Sequence, residues 1–297
     1  MRKLNTDQVM LTTFRDIERF ESATEMPRGY VVVKHGDIPI DANYFSRASD
    51  TTIVCFHGAV EKEVRVPWFS GGGVTANTGA NRFSFSDPSI HLYEDITIGW
   101  HAGNHEVPDL QGTLVRMIRS MVEKTGTKNL IFFGGSGGGF AALAISRHFP
   151  GSLALPMNPQ TSIGMYNESH VSRYVEHAWP DSTSLADLPE TVSHDLVALY
   201  SESVPNWVGY IQNRRDASHI RNHRDPFVET FAEPNRLRTL WGEWGGPGDG
   251  GHVTPPRTLT ASVLEAVASS GGEWERALTG LGFDPQPHTA EDGQSSR

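Results

Sequence analysis

The sequence predicts a protein of the α/β class, in which a mostly parallel central sheet carries helices on both faces. Short apolar segments alternate with segments of helical periodicity, as expected for parallel strands joined by crossover helices. The strand segments are residues 30–33, 52–57, 81–85, 129–133, 153–156, 207–211 and 237–241. The helical segments are residues 109–124, 140–149 and 258–269. This alternation fits one domain over residues 30–283.

Outside that domain we expect an N-terminal extension, residues 1–29, and a mobile tail, residues 284–297. The extension contains one predicted helix, residues 7–22. Residues 38–40 are predicted to form an edge strand, because Pro39 has no N–H to donate to a central ladder.

Two long segments interrupt the alternation. Residues 61–80 are rich in glycine and lack periodicity, which indicates a loop with a functional role. Residues 160–203 are predicted to be mostly helical. They form either a cap over the carboxyl edge of the sheet or a part of the outer helical layer.

Composition excludes several classes of partner. The 297 residues carry a net charge of −10, which disfavours nucleic acid because phosphate binding needs clustered cations. No apolar stretch is long enough for a membrane span, and the N-terminal residues lack the apolar core of a secretory signal. The single cysteine, Cys55, lies in an apolar strand and is predicted to be a small buried residue. We therefore expect a cytoplasmic protein; nothing in the sequence indicates an oligomeric state.

The motif that carries chemistry is Gly-Gly-Ser-Gly-Gly at residues 134–138, which matches G-x-S-x-G between a strand and a helix. A serine at such a turn projects its hydroxyl above the sheet, and small neighbours relieve the crowding. The helix N-terminus places the Gly137 N–H beside a developing oxyanion. A phosphate-binding loop of the P-loop type would need a lysine, and a dinucleotide site would follow the first strand. We therefore interpret Ser136 as a nucleophile, and we expect no cofactor.

These features resemble the α/β-hydrolase superfamily, and the resemblance spans about residues 30–269. It implies a nucleophile, an acid and a histidine in that order along the chain. It also implies an oxyanion hole in the loop after an earlier strand. His57-Gly58 resembles the His-Gly signature of that loop, so the N–H of Ala59 or Val60 would join that of Gly137.

His252 has the position that the superfamily gives to the base, because it follows the strand at 237–241 and precedes the closing helix. A carboxylate must hold its Nδ1–H so that Nε2 faces the serine. Asp216, after the strand at 207–211, is the first choice, and Asp225 is the alternative. Asp216 is also a plausible N-cap of a short helix.

Residues 216–225 also resemble a metal site, since Asp216, His219, His223 and Asp225 lie at short spacing. The arginines at positions 214, 215, 221 and 224 oppose a divalent cation, so we predict no metal. His57, Trp68 and Trp100 are predicted to lie at the carboxyl edge of the sheet and to line a substrate pocket. Packing alone is an equally good interpretation for the tryptophans.

The leading hypothesis is a serine hydrolase that cleaves an ester or related acyl bond of a small molecule or glycan through an acyl-enzyme on Ser136. The alternative is an acyltransferase or deacylase that acts on a glycan. The stretch at 216–226 resembles the hydrolase-like accessory proteins of bacterial glycan and adhesin export, which supports that alternative. A further alternative is a non-catalytic binding protein of the same fold.

Overall fold

A computed structural model describes residues 4, 9–64, 67–92, 95–246, 248–249 and 251–285. Within these residues ten strands form one sheet in the order β1-β2-β3-β5-β4-β6-β7-β8-β9-β10. The strands are β1 (Leu11–Phe14), β2 (Gly29–His35), β3 (Ile38–Phe45), β4 (Thr51–Phe56), β5 (Asn81–Phe85), β6 (Asn129–Gly135), β7 (Leu153–Met157), β8 (Trp207–Asn213), β9 (Leu237–Gly242) and β10 (Asp284–Pro285). Neighbouring strands from β5 through β9 are parallel, whereas β3 and β10 pair antiparallel with their neighbours.

Helices join and cover these strands. They are α1 (Ile17–Glu21), α2 (Ser89–Leu92), α3 (Leu110–Thr125), α4 (Gly137–Ser146), α5 (Glu168–Ala178), α6 (Leu196–Glu202), α7 (Ala217–His219), α8 (Asp225–Thr230), α9 (Arg257–Ala268) and α10 (Trp274–Gly280). A π-helical turn, Ile220–Arg224, makes α7 and α8 continuous. Asp109 caps α3, and Gly126 ends it in the left-handed conformation.

The core lies on both faces of the sheet because successive side chains of a strand point to opposite faces. In β4, Val54 and Phe56 pack in the layer that contains α3, whereas Ile53 and Cys55 pack under α9 and α10. Cys55 is fully buried, as predicted, and burial raises the pKa of its thiol to about 12. The predicted fold class, a mostly parallel sheet with helices on both faces, is confirmed.

The predicted helix over residues 7–22 is wrong. The segment Leu11–Phe14 is instead an edge strand that pairs in parallel with residues 30–33 of β2. The helix α1 begins only after Asp16, whose carboxylate accepts a hydrogen bond from the Arg19 N–H at 2.8 Å. Residues 5–8 lie outside the described part of the chain.

The prediction of an edge strand at residues 38–40 is also wrong, because β3 lies between β2 and β5. The strand β5 pairs with β3 only from Ala42 onward. Pro39 therefore lies where that side of the strand has no ladder, and its missing N–H leaves no gap in the sheet.

The helical insert, residues 160–203, has two parts with different surroundings. The second part belongs to the outer layer, since the Tyr200 hydroxyl of α6 donates to the Leu143 carbonyl of α4 at 3.0 Å. The first part lies above the sheet edge, where Tyr166 and Tyr174 contact the ring of Trp100. No helix in the described residues is long and apolar enough to cross a bilayer.

The predicted tail begins with β10, which pairs antiparallel with β9 through residues 238 and 239. Residues 286–297 of that tail lie outside the described part of the chain.

The parallel strand order and the crossover helices place the carboxyl ends of β4, β6, β7, β8 and β9 along one edge of the sheet.

Candidate active site

Ser136 lies at the sharp turn between β6 and α4. Its backbone has φ 53° and ψ −119°, a conformation that residues other than glycine rarely adopt. The Ser136 N–H donates to the Met157 carbonyl at 2.9 Å, and its carbonyl accepts from the Gln160 N–H at 3.3 Å. The end of β7 thus holds the strained turn from one side.

The glycines around Ser136 allow the backbone to approach its neighbours closely. A Cβ on Gly138 would lie 2.8 Å from the His57 carbonyl carbon and still closer to the Phe56 carbonyl oxygen. A Cβ on Gly58 would lie 2.8 Å from the Gly135 carbonyl oxygen. The end of β4 and the serine turn therefore pack against each other with no room for a methyl group.

His252 reaches the serine from the loop between β9 and α9. Its Nε2 lies 3.1 Å from Ser136 Oγ, and its Nδ1 lies 2.6 Å from Asp216 Oδ2. With Nδ1–H donating to the carboxylate, Nε2 has its lone pair directed at the serine hydroxyl. Of the three, Asp216 is buried, Ser136 is half-buried, and the His252 side chain is 36% exposed.

Asp216 follows β8 and has two roles. Its Oδ1 caps α7 by accepting from the His219 N–H at 3.2 Å, while Oδ2 accepts from His252. Burial raises the pKa of its carboxyl, but hydrogen bonds from His219 and His252 outweigh burial and leave the pKa far below its usual range. The alternative acid, Asp225, instead pairs with Arg224 at 2.8 Å.

Two asparagines that the sequence analysis missed hold the loops of the acid and the histidine together. Asn213 donates through Nδ2 to the carbonyls of Gly251 and Trp244, at 2.9 and 3.1 Å. Asn158 donates to the Val253 carbonyl at 2.9 Å and accepts from the Asn213 N–H at 2.7 Å. Both asparagines are buried, so these bonds fix the spacing of the two loops.

The loop after β4 contains the two candidate oxyanion donors. The Val60 N–H donates to the Thr97 carbonyl at 2.8 Å, so it is already engaged. The Gly58 carbonyl accepts from His57 Nδ1–H at 2.7 Å. Because a trans peptide directs its C=O and N–H oppositely, the Ala59 N–H points away from the His57 ring. Of the two candidates we retain Ala59, with Gly137 as its partner.

The three predicted pocket residues differ in where they lie. His57 is buried; it donates to Gly58 and accepts from the Asp87 N–H at 3.0 Å, so both its nitrogens are engaged. Trp100 is buried and donates to Gln160 Oε1 at 3.3 Å. Their contacts give both residues a role in ordering the loops. Trp68 is 46% exposed, in the glycine-rich loop.

Sequence reasoning missed Gln160 and the role of His219. Gln160 Nε2 lies 2.7 Å from Ser136 Oγ and 2.9 Å from His219 Nε2. His219 Nδ1 lies 3.0 Å from Asp216 Oδ1, and its ring stacks on that of His252 with centroids 3.9 Å apart. The position of Gln160 after a buried strand was the available signal, since side chains at the carboxyl ends of parallel strands converge.

Asp216, His219 and His252 could each offer a ligand atom to one metal ion, with these atoms within 4.8 Å of one another. Hydrogen bonds account for this proximity, because both imidazoles have Nδ1 directed at the carboxylate. His223 makes a different contact, accepting from the Thr161 N–H at 3.4 Å. We therefore propose no metal here.

The parallel sheet, the strand–serine–helix turn and the order of the loops define the α/β-hydrolase fold. Among solved structures, the chain is similar to the capsule O-acetyltransferase of Neisseria meningitidis serogroup A, with 13% identity, a TM-score of 0.56 and coverage of 78% of this chain and 95% of that one. A histidine-to-alanine mutant of that enzyme in complex with CoA gives 12% identity, a TM-score of 0.55 and coverage of 81% and 95%. No protein-family model matches the chain, and no curated protein matches it by sequence.

Proposed function

We propose that the protein is a serine acyl hydrolase that forms an acyl-enzyme on Ser136. The observation that carries this proposal is the continuous set of contacts from Ser136 Oγ to His252 and from His252 to Asp216, at 3.1 and 2.6 Å, on a strained strand-to-helix turn. A non-catalytic binding protein has no need for this strain or for a buried carboxylate aligned with an imidazole.

In the proposed reaction, Ser136 Oγ bonds to the substrate carbonyl carbon while its proton passes to His252 Nε2. The carbonyl π electrons move to the oxygen, which accepts hydrogen bonds from the N–H groups of Gly137 and Ala59. Asp216 stays ionised and stabilises the imidazolium through Nδ1–H. The bond to the leaving oxygen then breaks, and that oxygen takes the proton from Nε2.

A water molecule completes hydrolysis by the same route. His252 accepts its proton, the hydroxide oxygen bonds to the acyl carbon, and Ser136 Oγ leaves with the proton returned by His252. An acceptor hydroxyl in place of water gives acyl transfer, which is the second candidate. The Neisseria enzyme with this fold is named as a capsule O-acetyltransferase, so the fold is compatible with that outcome.

The test is covalent labelling with a fluorophosphonate, together with turnover of p-nitrophenyl acetate. We expect the wild-type protein to label at one serine. Ser136→Ala should lose labelling and lower turnover by on the order of 10⁴- to 10⁶-fold. Ser146→Ala is the control, since Ser146 lies in α4 and its hydroxyl bonds to the Leu143 carbonyl. A wild-type protein that is folded but never labels would refute the proposal.

Product analysis separates the two candidates. Incubation of an activated acetyl ester with and without an oligosaccharide should release only acetate if the protein is a hydrolase. Acetylated oligosaccharide that depends on Ser136 would instead establish acyl transfer.

A further inference from the structure

The proposed mechanism uses three side chains, yet five side chains form one hydrogen-bonded ring at the site. Gln160 bridges Ser136 and His219, and His219 shares the carboxylate of Asp216 with His252. Gln160 and His219 are buried. The contacts therefore form a closed ring of serine, base, carboxylate, second imidazole and amide.

The direction of each hydrogen bond follows from a single donor, the indole of Trp100. The indole Nε1–H can only donate, so the Gln160 atom that it contacts must be the amide oxygen. The other end of the amide is then the NH₂ group, which can only donate. Its two hydrogens are directed at Ser136 Oγ and His219 Nε2.

These directions fix the protonation of His219. Because Nε2 accepts from Gln160, the proton of the neutral ring is on Nδ1, which donates to Asp216 Oδ1 at 3.0 Å. Burial lowers the pKa of His219, which also favours the neutral ring. A positive charge there would oppose the charge that forms on His252, whose ring is stacked 3.9 Å away.

The same hydrogen-bond directions fix the orientation of the Ser136 hydroxyl. With one lone pair of Oγ engaged by the Gln160 N–H, the hydroxyl hydrogen is left to donate to His252 Nε2 at 3.1 Å. The amide also stabilises negative charge on Oγ, which develops when the proton departs and again when Oγ leaves the acyl group. The Gln160 backbone N–H bonds to the Ser136 carbonyl, so the residue is anchored to the turn.

We propose, resting on the proposed function of Ser136, that Gln160 is a further catalytic residue that directs the serine hydroxyl to His252 and stabilises charge on Oγ. His219 is a positioning residue that holds the Gln160 amide in this orientation by accepting its second hydrogen and by donating to Asp216.

The first test measures the second-order rate constant of fluorophosphonate labelling in variants. Gln160→Ala and the isosteric Gln160→Glu should both label about 10- to 100-fold more slowly, because each loses a hydrogen bond to an atom that gains charge. His219→Phe keeps a ring stacked on His252 but loses both polar contacts, and it should label about 10-fold more slowly. His223→Phe is the matched control. It keeps an aromatic ring beside His219, whose centroid lies 5.0 Å away, and it removes a buried imidazole with no hydrogen bond to Gln160 or Ser136 among the described residues, so it should label like wild type.

The second test is ¹⁵N NMR of the imidazoles, and its first measurement uses the wild-type protein, so it does not depend on the variants folding. His219 should be the Nδ1–H tautomer, as its hydrogen bonds to Gln160 and Asp216 require. In Gln160→Glu the Nε2 signal of His252 should shift toward its value without a hydrogen bond, a change that loss of stability alone does not cause.

Two results would overturn the inference. One is an Nε2–H tautomer for His219 in the wild-type protein. The other is labelling of folded Gln160→Ala or Gln160→Glu within twofold of wild type. Because wild-type labelling is measured in the same experiment, a failure of Gln160 is distinguished from a failure of Ser136: in the second case the wild type does not label at all.

Discussion

Substitution of Gly138 by alanine tests how tightly the serine turn packs on the end of β4. The added methyl would lie 2.8 Å from the His57 carbonyl carbon and closer to the Phe56 carbonyl oxygen. Both are backbone atoms at the end of β4, a central strand, so neither can rotate away as a side chain can. Overpacking of this kind costs about 3 kcal/mol, and the better helix propensity of alanine returns about 1 kcal/mol. We therefore expect a net loss of about 2 kcal/mol in the free energy of unfolding.

Gly135→Ala is the matched control, because a Cβ there finds its nearest neighbour, a methionine methyl, at 3.5 Å. Urea denaturation should place Gly135→Ala within about 1 kcal/mol of wild type. The Tm of Gly138→Ala should be about 4 °C lower than that of wild type for a chain of this length. Labelling should slow by about 100-fold if Oγ is displaced by 1 Å. Equal stability and equal labelling of the two variants would refute the packing argument.

Two further predictions concern stability. Asn213→Ala removes the partner of the Arg215 N–H in the Asp216 loop and of carbonyl and N–H groups in the His252 loop. Urea denaturation should therefore show a loss of about 3 kcal/mol in the free energy of unfolding, and labelling should be slower. Unchanged labelling would contradict this role. Burial lowers the pKa of His101 to about 4 and that of His223 to about 3, so the unfolded chain, with a pKa near 6.5, binds protons first. The contribution of these histidines to the free energy of unfolding should therefore be full above pH 6.5 and fall as the pH drops below that value. The loss is up to about 1.4 kcal/mol per pH unit for each histidine, and the slope should be shallower in His223→Phe.

The parts of the fold that could be predicted are those with local signals. The run at 129–133 is apolar enough to be a buried strand on its own, and Asp109 and Gly126 mark the ends of α3 locally. The strand Leu11–Phe14 has no such signal, because it is defined by its pairing with residues 30–33. The strand that contains Pro39 likewise lies inside the sheet only because β5, which comes later in the chain, pairs beside it.

The candidate site divides in the same way. Ser136 is marked by its glycines, and His252 and Asp216 by the order of the strands before them. Gln160 has no comparable mark, since its importance comes from the direction of the Trp100 N–H, sixty residues earlier in the chain. A hydrogen-bond direction depends on three-dimensional contacts that no sequence spacing encodes.

Asp216 also determines what the pH dependence of labelling reports. As a buried group it would resist ionisation, but it accepts hydrogen bonds from His252, from the His219 ring and from the His219 backbone, and these keep it ionised. The carboxylate therefore stays ionised in mild acid. Loss of labelling there must then come from another group, and His219→Phe tests the buried imidazole beside the carboxylate. If the acid limb is unchanged in that variant, protonation of His219 is excluded as its cause, because the phenyl ring cannot titrate.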